Sequence, residues 1–290
     1  MKNSIKKLKI PFLLIFTLSL FTQPLLAFPR NDLKPGGVAV LAVAPSNKSK
    51  PRVTYQKSPV AIVKGKQNWL AVLGIPLSAK IGRHQVSIYN NTSKKTTFKQ
   101  FQVKNYKYKT QRLTIPNKNK VTPNKKSTKR IEREFFLKKK LKKTYRVSTP
   151  HFNFIRPVAG RDSGRFGLRR ILNKQKRNPH SGMDIAAPRG RSVKSTEAGR
   201  VIYAGDLFFT GNVVYIDHGN GLLSLYAHLS KINVKKGQQV KRGQIIGKVG
   251  KTGRVTGPHL HWSVYLNGNA VDPSLFLAKK KRSKKPNKKK

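Results

Sequence analysis

Thr256-Gly257-Pro258-His259-Leu260-His261-Trp262, running on into Ser263, Val264 and Tyr265, reads as a strand with two histidines on one side. Pro258 marks its beginning, and side chains two apart on a strand point to the same face. His259 and His261 therefore project together, beside a shared point, while Leu260 faces the other way. From His151 to Leu277 the chain keeps this manner, with short apolar runs, many glycines and few helical periods. The expected fold class is all-β. Two more segments carry histidine into this half. In His180-Ser181-Gly182-Met183-Asp184, Pro179 and Gly182 argue for a turn entering a strand rather than a helix. Tyr226-Ala227-His228-Leu229 closes the alternating segment Leu222 to Tyr226.

Composition narrows the chemistry. The 290 residues include no cysteine, which excludes disulfides, thiolate metal sites and a cysteine nucleophile. Any metal must be held by the 7 histidines and 9 acidic residues. Asp162, Asp184, Glu197, Asp206, Asp217 and Asp272 all lie in the C-terminal half, together with six of the histidines. A hydrolytic zinc site commonly has three protein ligands and an open position for water, so two histidines and a carboxylate would satisfy it. Additional neutral histidines beside it could take a proton or stabilise developing charge. A lone His-x-His is a weak signal, His-x-x-x-Asp is weaker, and His218 in Asp217-His218-Gly219-Asn220-Gly221 reads as part of a hairpin turn. Their combination with glycine-rich surroundings is what carries weight.

Working toward the N-terminus, Ile131 to Tyr145 reads as one charged helix with Phe135, Phe136, Leu137 and Leu141 as its apolar members. It sits within a linker, 104–150, whose Pro116, Pro123 and Lys/Asn/Thr-rich composition suit a connection. Residues 28–103 read as a small β-sandwich-like domain. Gly37 to Val43, Val60 to Val63 and Trp69 to Leu73 are short apolar strands, and His84 to Tyr89 alternates before the turn signal Asn90-Asn91. Nothing there clusters into a site, so it reads as a binding or spacer module.

The first 27 residues read as a signal peptide: Lys2, Lys6, Lys7 and Lys9, the apolar run Ile10 to Phe21, then Pro24-Leu25-Leu26-Ala27. The run is short for a membrane span; an uncleaved anchor is the alternative, and either way the chain is expected in the periplasm or secreted. Residues 279–290 form a lysine-rich tail, expected to be disordered. The net charge of +54 attracts any polyanion. An extracytoplasmic location turns that expectation toward an anionic cell-wall or outer-membrane surface and away from specific nucleic acid.

Phe166-Gly167-Leu168-Arg169, His180 to Pro188, Tyr226 to Ser230 and Thr256 to Trp262 resemble, in that order, the lysostaphin/LytM-type zinc endopeptidases. The glycine-punctuated stretch from Val234 to Gly250 looks like this family too. The likeness covers about residues 154–277, and the front half, through Trp69, Gly74 to Leu77 and Gln111 to Ile115, looks more loosely like the N-terminal domain of some Gram-negative members. The resemblance implies a C-terminal antiparallel β-sheet peptidase domain (151–278) of the duplicated-hybrid-motif type, Zn2+ held by His180, Asp184 and His261, and a catalytic pair, His228 and His259. It implies a peptidoglycan endopeptidase, expected to act as a monomer. Ser263 is a departure, since many members carry Glu there. The rival expectation is a non-catalytic wall-binding or amidase-activating protein retaining a structural metal.

Overall fold

The computed structural model describes residues 28–278, so the expected signal peptide and lysine-rich tail lie outside the described residues. Its centre is the strand His259–Leu266, which lies between Leu222–Ile232 and Met183–Ala186 and is antiparallel to both. The sheet continues through Gly211–Gly219, Gly199–Leu207 and Gln239–Val240 on one side and Arg161–Gly164 on the other. Strand Leu222–Ile232 is buried along its first eight residues because both faces of the sheet are covered. Leu222 and Tyr226 belong to the main core with Ile185, Leu260 and Trp262, whereas Leu223, Leu225 and Ala227 belong to a second core behind the sheet. Period two divides one apolar run between two cores.

The second core is closed by the helix Lys125–Lys142, through Leu137 and Leu141. This helix starts earlier and ends earlier than the expected Ile131 to Tyr145. Asn124 caps it by accepting from the Ser127 backbone N–H at 2.9 Å; its opening turn carries no apolar residue, so no hydrophobic period marks it. Phe135 and Phe136 do not pack: they are 57% and 66% exposed. Glu134 ties the helix to the sheet by accepting from the Phe208 N–H at 2.8 Å while paired with Arg130.

The front half is a sandwich of two antiparallel sheets. Val38–Pro45, Asn68–Gly74 and Ala61–Lys64 form one; Ser58–Pro59, Arg52–Tyr55, Gly82–Tyr89 and Thr96–Val103 form the other. Ala39, Ile62, Ala71 and Leu73 face the inner core with Val53, Val86 and Phe101. Val38, Ala61, Val63 and Val72, on the reverse face, join the core of the C-terminal half. Asn267 clamps the junction, donating to and accepting from the backbone of Gly74.

The connecting segment is not irregular throughout. Thr110–Leu113 forms a strand that pairs in parallel with Arg169–Leu172. Its side chains reach the cleft described next. Among the described residues no helix is long and apolar enough to cross a membrane.

Candidate metal centre

Sheet register assembles the centre. Asp184 pairs directly with His261, and Ala186 with His259, across two antiparallel strands. His180 precedes its strand and is fixed by two backbone bonds, its N–H to Leu168 and its carbonyl from Gly167. Gly182 is required by close approach: a Cβ there would lie 2.4 Å from the Trp262 carbonyl and 2.5 Å from Ser263 Oγ. The result is three buried groups with ligand atoms within 4.8 Å of one another: His180, Asp184 and His261. His180 Nε2 and His261 Nδ1 lie 2.9 Å and 2.8 Å from Asp184 Oδ1, and 2.9 Å from each other.

The remaining ring nitrogens decide what can sit there. His180 Nδ1 faces the Arg165 carbonyl at 2.8 Å, and His261 Nε2 faces Ser263 Oγ at 2.9 Å. The carbonyl can only accept, so it takes an N–H from His180, and the serine hydroxyl can take one from His261, an arrangement that leaves two nitrogen lone pairs and a carboxylate oxygen converging. Three electron pairs facing one another repel unless a cation lies among them, so this donor set fits a divalent metal, and nitrogen and oxygen ligands suit zinc. Arg170 donates to the second oxygen, Asp184 Oδ2, at 2.9 Å. Burial works to raise the Asp184 pKa, but His180 and His261 hold it well below the ordinary carboxylate range. Burial lowers His261 to about 4, against the opposing pull of Asp184.

His228 and His259 flank these three. His228 interrupts its strand: the pairing with Gly211–Gly219 slips there, and the residue takes a left-handed backbone, φ 65°. Left-handed geometry is costly for a residue with a side chain and clusters at functional sites. His228 Nδ1 donates to the Thr252 carbonyl at 2.8 Å and His259 Nδ1 to that of Gly257 at 2.9 Å, leaving both Nε2 atoms free. The two rings lie 4.9 Å apart, and His259 Nε2 is 3.8 Å from Asp184 Oδ1. Burial, then His259 and His261, keeps the His228 pKa well below that of free histidine, so it stays neutral.

The other histidines are elsewhere. His218 is buried between the Ala198 carbonyl and Ser224 Oγ at 2.7 Å each, a packing role within the sheet rather than a turn residue. His84 bonds Tyr55 in the front domain, and His151 is exposed. Sequence reasoning missed the cleft walls. Gln111, Leu113, Arg170 and Arg254 line a cleft of about 150 Å³ with Asp184, His228 and His259. Gln111 Oε1 and Arg170 Nε are buried without partners. A single sequence gives no sign that Gln111, in a lysine-rich connection, returns to the centre.

Residues 178–273 match the model of peptidase family M23, and residues 31–105 match that of the peptidase family M23 N-terminal domain. A solved structure from Pseudomonas aeruginosa described as a peptidase M23 is 39% identical, with a TM-score of 0.72, covering 85% of this chain and 95% of that one. The chain belongs to peptidase family M23. Among curated M23 relatives, the peptidoglycan DD-endopeptidase ShyA of Vibrio cholerae is 48% identical over 113 residues, 39% of this chain and 26% of that protein. The DD-carboxypeptidase/endopeptidase Mpg of Neisseria meningitidis is 42% identical over 122 residues, 42% of this chain and 28% of that protein. The chain thus spans little more than a quarter of the length of these curated relatives, whereas its likeness to the M23 structure from P. aeruginosa runs through both halves.

Proposed function

We propose that this M23 protein is a zinc-dependent endopeptidase that hydrolyses peptide cross-links of bacterial peptidoglycan. The observation that carries the reading is the pairing of a convergent His180, Asp184 and His261 with two further histidines whose Nε2 atoms are free. A purely structural metal needs no such spare histidines, which counts against a non-catalytic wall-binding or amidase-activating protein. His180, Asp184 and His261 are the ligands in this reading, and His228 and His259 the catalytic pair. Bound zinc would supply Lewis acidity, polarising a carbonyl and bringing the pKa of water toward neutrality. His228, neutral and buried, takes the proton of the attacking water at Nε2. His259 Nε2, beside it, accepts that proton in turn and returns it to the amine as the oxyanion collapses and the C–N bond breaks. The Thr252 and Gly257 carbonyls keep both rings in the tautomer this requires. Relatives named as DD-endopeptidases favour the D-alanyl cross-link over a glycine bridge.

We take the protein to act as a monomer, a reading supported by the proposed centre drawing all its residues from one chain. We place it in the periplasm or outside the cell, with residues 28–103 as a module that rides on the peptidase domain 151–278. Its basic residues, among them Lys129, Arg133, Lys139 and Lys140 around the exposed Phe136 of the helix, favour an anionic wall or outer-membrane surface. The test is mass analysis of fragments released from purified sacculi. Expected are products of cleaved cross-links, lost with a chelator and restored by zinc. Release that survives chelation, or that survives His261→Ala, contradicts the reading.

A further inference from the structure

Among the described residues, Arg254 is the one cleft-lining cation that this mechanism leaves unused. It projects from the loop that also orients His228: Thr252 O accepts from His228 Nδ1, and the Arg254 N–H donates to the Phe209 carbonyl at 2.9 Å. Between them Gly253 has φ 78°, and a Cβ there would lie 2.5 Å from the Gly211 nitrogen and 2.6 Å from the Phe209 carbonyl. The backbone therefore fixes where Arg254 stands relative to the catalytic pair. Its guanidinium lies 4.4 Å above the Phe209 ring, a contact that shapes the side chain. Arg170, its neighbour in the cleft, is committed to Asp184. Among the described residues no carboxylate pairs with Arg254, although most other acidic groups have an arginine or lysine partner. Burial, then Arg170 and Arg177, lowers its pKa to about 10. A half-buried guanidinium held near other cations is costly until an anion meets it, and a carboxylate fits its planar fork.

The chemistry of the proposed substrate supplies such an anion at one place. In a cross-link between a D-alanine carbonyl and an amine of a diaminodicarboxylic acid, the carbon bearing that amine also carries a free carboxylate, whereas the side-chain amine of a simple diamino acid has none beside it. A glycine bridge has none next to the bond. We propose that Arg254 receives the free carboxylate of the residue on the leaving-amine side of the scissile bond. This rests on the endopeptidase reading and deepens it to a substrate class. It has a corollary: a terminal D-alanyl-D-alanine bears its carboxylate at the same position, so the enzyme also removes a terminal D-alanine. The bond change is ordinary hydrolysis. The water oxygen joins the carbonyl carbon, the C–N bond breaks, and the amine leaves with a proton from the water.

Two synthetic peptides ending in D-alanyl-D-alanine, identical except for a C-terminal carboxylate or carboxamide, test this with the zinc-loaded full chain. The wild type should favour the carboxylate by about ten- to a hundredfold in kcat/KM, the range expected of a charge-assisted pair, and Arg254→Gln should bring the two within about twofold, chiefly through KM. Arg254→Lys should retain part of the preference. Zinc content, measured on every variant, separates loss of recognition from loss of the centre, which would slow both peptides alike. A wild type indifferent to the carboxylate, or an Arg254→Gln variant that keeps the wild-type ratio, overturns the proposal and leaves the endopeptidase reading standing. Digestion of sacculi with cleavage of neither peptide also overturns it alone. Failure on sacculi and both peptides overturns the endopeptidase reading and this inference with it.

Discussion

Each imidazole of the centre has one nitrogen engaged by a protein acceptor and the other turned inward, and the choice of nitrogen is set residue by residue. His180, His228 and His259 are each held at Nδ1 by a backbone carbonyl, whereas His261 is held at Nε2 by Ser263. Ser263 is therefore more than a departure from the residue common in the family, because its hydroxyl can accept from Nε2 and leave the Nδ1 lone pair of a proposed ligand turned inward. Replacing it by Ala should weaken zinc binding by about tenfold, the lower end for an outer hydrogen-bond partner. Competition against a chromogenic chelator measures this; unchanged affinity would show that Ser263 only fills space. His261 could be read as part of a same-face pair from the sequence, since period two alone puts it beside His259. The acceptor of each ring could not, because three of the four are carbonyls contributed by loops.

At the scale of elements, the strand Leu222–Ile232 delivers both packing and chemistry, and the two depend on different features. Alternation predicts the apolar residues up to Tyr226. It does not predict the slip that turns His228 toward the cleft, which needs a left-handed residue and the Thr252 loop opposite. The helix boundary was obscured similarly, since a capped but wholly polar first turn leaves no hydrophobic trace. His218, in the neighbouring strand, gives a pH prediction. Burial lowers its pKa from 6.5 to about 4, so the unfolded chain takes up its proton before the native one does. Its contribution is fully present above pH 6.5 and is lost as the pH falls toward 4. Chelated protein should thus show a Tm that declines across this window, with a shallower decline in His218→Asn. Equal slopes in the two proteins would remove His218 as a cause.

For the whole molecule, the peptidase sheet is supported on both sides, by the capped helix behind it and by the front sandwich through Val38, Val63 and Val72. The expectation of an all-β chain with a β-sandwich ahead of a peptidase domain was legible because strand patterning is local. The return of Thr110–Leu113 to the cleft is a long-range event that no local pattern encodes. Net charge acts at this scale too. Retention on sacculi should fall steeply as salt rises, because surface attraction is screened. Removing residues 279–290 should weaken low-salt retention far more than turnover of a short peptide; an equal loss of both would contradict a surface-tethering role. In the proposed reaction, His228 and His259 convert a metal site into a hydrolytic one. Zinc stoichiometry and cross-link cleavage measured together on His228→Gln test it most directly. Full zinc content with turnover down by about a hundredfold or more is the predicted result, in the range of a lost general base. Full zinc content with wild-type turnover, or loss of zinc in parallel with activity, would contradict it.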